Sequence, residues 1–130
     1  MKLFYEELTG KIISAAIAVH RELKPRLDEK IYERALCIEL AEQGIGFEQQ
    51  PRYDVLYKGR YLGHLTPNLV VENKIIVDPK CVDSFSLANE AQMLGYLNIT
   101  GLSVALLLNF KAWPLGKKRI LHPNIKNTQP

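Results

Sequence analysis

The stretch KIIVDPKCVDSFSLANEAQMLGYLNITGLSVALLLNF, residues 74–110, decides most of the fold. Ile75, Ile76 and Val77 are apolar on both faces of a strand, which suits a central strand covered on both sides. Leu87, Ala91, Leu94 and Leu97 then recur on one face of a helix predicted over 84–97, with Ser84 or Ser86 as its N-cap. The apolar run at 102–110 is short and punctuated, as a buried strand is. A helix between two strands makes a crossover, so these strands are expected to run parallel.

Working outward, NLVVENKIIVDPK (68–80) reads as a hairpin turning at Glu72-Asn73-Lys74. Before it, FEQQPRYDVLYKGRYLGHL (47–65) alternates and turns at Lys58-Gly59, a strand and hairpin. Two helices come first. One covers 4–23, with Ile12, Ile13, Ala16, Ile17, Val19 and His20 on its apolar face. Thr9 is an alternative start as N-cap, and Lys24-Pro25 ends the helix because the residue before proline avoids helical geometry. The other covers 28–43, with Ile31, Ala35, Leu36, Ile38 and Leu40 as its stripe and Gly44 as its stop. After 110, KKRIL (117–121) reads as a short edge strand, and 123–130 as a frayed tail. The 130 residues thus form one α/β domain, a mixed central sheet with helices on both faces.

Composition narrows the classes. With 47% apolar residues the chain has material for a sizeable core. No apolar run approaches the roughly 20 residues of a membrane span. The N-terminus has acids before its apolar stretch and no small-residue cleavage site, so a soluble, cytoplasmic protein is expected. Cys37 and Cys81 have no metal-ligand spacing; each reads as a small hydrophobe or strand-end thiol. Residues 1–90 carry 12 basic and 14 acidic side chains, whereas 91–130 carry five basic ones and no acid. Lys111, Lys117, Lys118, Arg119 and Lys126 make up that set, either a solvated tail or an edge for phosphates.

Asp78 and Lys80, two apart on a strand, share one face. A carboxylate suits a hard cation, and a lysine beside it can position or help deprotonate an attacking water. D-x-K alone is a weak pattern. Its place at the end of a buried hairpin strand, before a crossover helix, gives it weight. Across the hairpin, where a second acid would sit, stands Asn68.

Several longer segments agree with this context: LTGKIISAAIAVHREL (8–23), LDEKIYERALCIELAEQGIGFEQQ (27–50), YKGRYLG (57–63), NLVVENKIIVDPKCV (68–82), NEAQMLGYLNITGLSVALLLNF (89–110) and KKRIL. Together they resemble the GxxExxY proteins, a branch of the PD-(D/E)XK nuclease-like superfamily. The resemblance implies a restriction-endonuclease-like α-β-β-β-α-β core and magnesium- or manganese-dependent hydrolysis of nucleic acid, DNA above all. It places Glu29 and Tyr32 at the E and Y of the name motif. Asp78 stands as metal-binding acid, Lys80 as catalytic lysine and Gln92 as a polar residue facing the cleft. The implied metal set is Asp78, Glu29 and Asn68; from the charge distribution, Lys117, Lys118 and Arg119 are expected toward the phosphate backbone. Three positions depart from the pattern: Arg26 replaces glycine, Asn68 replaces aspartate and Pro79 replaces an apolar residue. Asn68 removes a charge from the metal set. Pro79 removes a ladder N–H and suggests a bulge or an early end to pairing.

Among other residues, His20 reads as a helix-face residue, His64 as a strand residue with a route to the cleft, and Trp113 as loop packing or a stacking surface for a base. Three functions follow: a metal-dependent nuclease, a non-catalytic module binding nucleic acid or protein on the same fold, and an assembly domain dimerising through the first helix.

Overall fold

The computed structural model describes residues 4–125. Lys126 and the rest of the expected frayed tail from 126 on lie outside the described residues. The elements are α1 (Glu6–Leu23), α2 (Glu29–Glu42), β1 (Phe47–Gln49), β2 (Tyr53–Tyr57), β3 (Arg60–Leu65), β4 (Leu69–Val71), β5 (Ile75–Lys80), α3 (Leu87–Thr100), β6 (Val104–Asn109) and β7 (Gly116–Leu121).

Five strands form one sheet in the order β1-β4-β5-β6-β7. β4 and β5 pair antiparallel across the turn at Glu72 and Asn73, both at positive φ as a tight hairpin turn demands. β5 and β6 run parallel, joined by α3, as the crossover requires. β7 closes the edge antiparallel to β6. β5 and β6 lie inside the sheet with both faces covered, which is why their sequences are nearly continuous in apolar residues.

Successive side chains on these strands feed two core layers. Leu69, Val71, Ile75, Val77, Val104, Leu106 and Leu108 pack under α1 and α2, with Ile12, Ala16, Tyr32, Leu36 and Leu40. Val70, Ile76, Ala105, Leu107 and Ile120 pack against Met93 and Leu97 of α3. The expected mixed sheet flanked by helices is the fold of this chain.

Four local expectations are corrected. The hairpin β2–β3 forms its own two-stranded sheet instead of extending the central one. A turn signal identifies a hairpin but not the sheet it joins. α1 starts at Glu6 and runs through Thr9 and Gly10 without a break; a Cβ at Gly10 would meet nothing within 4 Å. α2 buries Tyr32, Glu33, Leu36 and Leu40, whereas Ile31 and Ile38 are exposed. α3 buries Met93 and Leu97, and Leu87 is 85% exposed. Ser86 is its N-cap, in a reciprocal capping box with Asn89.

Pro79 resolves as an early end to pairing. β4 pairs with β5 only up to Leu69↔Val77, two residues short of the proline. On the other side β5 pairs with β6 without interruption through Lys80↔Asn109, and no bulge forms.

Candidate active site

The site is built where β5 outruns β4. Asp78 follows Val77 and shares the α3-facing side of the sheet with Ile76, so its carboxyl is 1% exposed. Its Oδ2 is buried without a hydrogen-bond partner among the described residues, and Lys80 Nζ lies 3.3 Å away, within ion-pair distance. Burial pushes the Asp78 carboxyl up to about 6. Lys80 opposes that shift, and the negative charges of Glu29 and Glu33 add to it.

Lys80 is held from above by α3. Its Nζ donates to Gln92 Oε1 at 3.4 Å, and Gln92 Nε2 donates to the Tyr96 hydroxyl at 3.2 Å. Gln92 and Tyr96 are one turn apart, on the same helix face. The Tyr96 phenol is pushed up, first by burial and then by the charge of Asp78. The expected trio of Asp78, Lys80 and Gln92 is therefore gathered in one place.

Helix α2 brings two acids to the other side. Glu29 Oε1 accepts the Cys81 N–H at 2.9 Å, which clamps the segment leaving β5; the residue is exposed at the lip. Glu33, four residues on, is 1% exposed. Its Oε1 accepts from Asn68 Nδ2 at 2.7 Å, and its Oε2 accepts from Gln49 Nε2 at 2.8 Å and pairs with Lys30 Nζ at 3.2 Å. Burial raises the Glu33 carboxyl, but the donors Asn68, Gln49 and Lys30 outweigh it and hold it below the ordinary value. Asn68 sits one residue before the Leu69↔Val77 pair, opposite Asp78 in the continued register. Glu33, Gln49 and Tyr96 escaped the sequence reading. The available signal was the i, i+4 spacing of Glu29 and Glu33, which places both on one helix face.

The other motif residues take structural places. Tyr32 is fully buried and stacks on Phe110 with ring centroids 4.6 Å apart. Its hydroxyl donates to Lys24 O and accepts the Leu27 N–H, pinning the loop between α1 and α2. In that loop Arg26 holds φ +94°, the left-handed conformation that glycine would take without strain.

The basic edge is divided. Lys118 faces α3 and pairs with Glu90 Oε2 at 2.9 Å. Its register partner Leu107 is also that of Asp78, so Lys118 stands two strands, roughly 10 Å, from Asp78 on the same face. Lys117 and Arg119 alternate to the α1 side, where burial lowers the Arg119 guanidinium. His64 stays on the outer hairpin beside the Tyr61 hydroxyl and does not reach the cleft. His20 is buried and stacks against Trp113, whose ring also carries Lys24 over its face.

The donors that fit a hard divalent cation are Asp78, whose buried Oδ2 pairs with Lys80 without a hydrogen bond among the described residues, and the Glu33 carboxylate with the Asn68 amide bonded to it. No group of three or more His, Cys, Asp and Glu among the described residues forms a ready metal cage. A cation here would have to draw Glu33 away from the N–H of Asn68.

A parallel strand pair with a crossover helix, a carboxylate and lysine two apart at the end of the central strand, and a buried helix acid beside them define a nuclease-like class. A family model of the PD-(D/E)XK nuclease superfamily matches residues 6–120, and the chain belongs to that superfamily. No curated protein matches significantly. Among solved structures, SSO0001 superposes with a TM-score of 0.59 at 13% identity, over 93% of this chain and 61% of that one. The chain therefore spans less than two thirds of SSO0001. The alkaline exonuclease LHK-Exo from Laribacter hongkongensis superposes with a TM-score of 0.52 at 12% identity, over 95% of this chain and 73% of the exonuclease. At such identities the likeness concerns the fold.

Proposed function

We propose that this chain is a phosphodiesterase of the GxxExxY branch that hydrolyses nucleic acid, DNA above all, with magnesium or manganese. The observation that carries the reading is the buried Asp78 Oδ2 in an ion pair with Lys80 Nζ at 3.3 Å. The charges of two further acids, Glu29 and Glu33, are felt at Asp78. Such a concentration of negative charge favours a divalent cation. Bound there, the cation would polarise a phosphate oxygen and lower the pKa of a water. Asp78 and Glu33 would hold it, assisted by the Asn68 amide. Lys80, held by Gln92, would orient the water and offset charge on the phosphate. Lys118, on the same face, is placed to meet the backbone further along. The unpaired half-buried cysteines accord with a reducing, cytoplasmic setting.

A second reading, a binding module without catalysis, is favoured by one contact: Asn68 Nδ2 donates to Glu33 at 2.7 Å, so an amide donor occupies that carboxylate where the resembled family has a second acid. Cleavage assays on single- and double-stranded substrates with Mg²⁺ or Mn²⁺ separate the two. Wild type is expected to cut slowly and to need high metal concentration. Asn68→Asp is expected to cut at lower metal concentration, and Lys80→Ala to lose at least about 100-fold in rate. Silence in wild type with activity in Asn68→Asp would overturn the enzyme reading for this chain and confirm the nuclease scaffold. Cleavage indifferent to Lys80→Ala would place the site elsewhere.

A further inference from the structure

The hairpin β2–β3 is not needed by the central sheet, yet both its ends are rooted at the site. Gln50 N–H donates to Asn68 O at 2.8 Å, and Gln49, Gln50 and Asn68 all donate to Glu33. Its base is fastened by Tyr53, which packs partly buried against the α3-side core. From there the ribbon leaves the body of the molecule. Every residue from Leu56 to Leu62 is exposed, and Leu56, Tyr57, Tyr61 and Leu62 are each more than half exposed. A free two-stranded ribbon with apolar side chains in water is a poor structure by itself.

Its charge indicates what it meets. The tip 56–62 carries Lys58 and Arg60 and no acid. Tyr57 pairs across the ribbon with Arg60, and Leu56 with Tyr61, so each face presents an aromatic ring. A bulge at Val55/Leu56 adds twist beneath the tip. Arg52 braces Tyr61 from below, its Nη2 donating to the Tyr61 hydroxyl at 2.8 Å and its guanidinium 5.7 Å from the ring. A cationic two-stranded ribbon has the width that the major groove of duplex DNA admits.

We infer that the 53–65 hairpin is a DNA-gripping arm: Lys58 and Arg60 at its tip meet duplex phosphates while Tyr57, Tyr61 and the flanking leucines lie in the groove. This rests on the nucleic-acid reading above. It adds a second contact, carried out from the base of the hairpin by the five residues of β2, roughly 15 Å of extended chain.

The test is binding of the full chain to a fluorescent duplex, by anisotropy over a series of salt concentrations. Lys58→Glu/Arg60→Glu is expected to weaken binding by about tenfold or more and to flatten the log–log salt slope by about two. Tyr61→Ala is expected to weaken it several-fold with the slope unchanged. All side chains changed are exposed, and equal melting temperatures verify the fold. If wild type binds but the hairpin variants lose no more than Lys11→Glu, a charge reversal on α1, the arm is refuted and the nucleic-acid reading stands. If wild type fails to bind at low salt, both fall. If the variants abolish self-association in sedimentation while DNA affinity is unchanged, the tip belongs to a second copy of the chain and the arm is refuted.

Discussion

At Asp78 a carboxylate is kept out of water beside a single close cation, and its pKa of about 6 records the cost. The folded-state pKa is raised above the ordinary value of 3.8, so the folded protein binds the proton more tightly than the unfolded chain does. Stability from this group is therefore fully present below about pH 4 and lost as pH rises through about 6. Asp78→Asn is expected to be more stable than wild type at pH 8, by on the order of 1–3 kcal/mol, with the gap closing toward pH 4. Urea titrations at the two pH values measure this, and a gap that widens on acidification would contradict it. On the proposed metal-binding reading, millimolar Mg²⁺ is expected to stabilise wild type by more than Asp78→Asn, which lacks the charged ligand. The Asp-Lys pair was legible from its spacing together with its place at the end of a buried hairpin strand, since strand geometry puts both on one face. Glu33 was not, because an apolar-periodicity search passes over a buried charge.

At the scale of elements, the loop between α1 and α2 carries a conflict between sequence and backbone. Arg26 stands where the resembling family has glycine, yet the backbone keeps φ +94°. The Tyr32 hydroxyl holds the loop from both sides, on Lys24 O and Leu27 N, so the surroundings impose the conformation. Arg26→Gly is expected to raise stability by about 1 kcal/mol, read as a higher urea midpoint at unchanged slope. A lower midpoint would show that the arginine side chain outweighs the strain. Much of the element order was readable because each signal is local: Ser86 with Asn89 as a cap, Glu72-Asn73 as a turn, Lys24-Pro25 as a stop. The faces of α2 and α3 were less so. On α2 the large Tyr32 takes the core position beside Phe110, and Ile31 and Ile38 are turned outward. On α3 the apolar Leu87 falls in the first turn, beyond the sheet.

For the whole molecule, one sheet separates two core layers, and neither layer closes without it. Leu106 and Leu107 are neighbours in sequence but point into opposite layers. Leu106→Ala and Leu107→Ala are each expected to lose about 2–5 kcal/mol and to shift a single unfolding transition without splitting it. A second transition in either variant, seen by circular dichroism against urea, would show that the layers melt apart. The α-β-β-β-α-β core could be inferred from a crossover and a hairpin. The separation of β2–β3 from it could not, since strand pairing beyond the hairpin depends on contacts distant in sequence. The Gln50–Asn68 hydrogen bond closes the chain across that hairpin, so the core runs from β1 to β4 as though nothing intervened. The tip beyond Tyr53 is thus a separable extension: it can lengthen, shrink or be exchanged while the sheet and its acids keep their places.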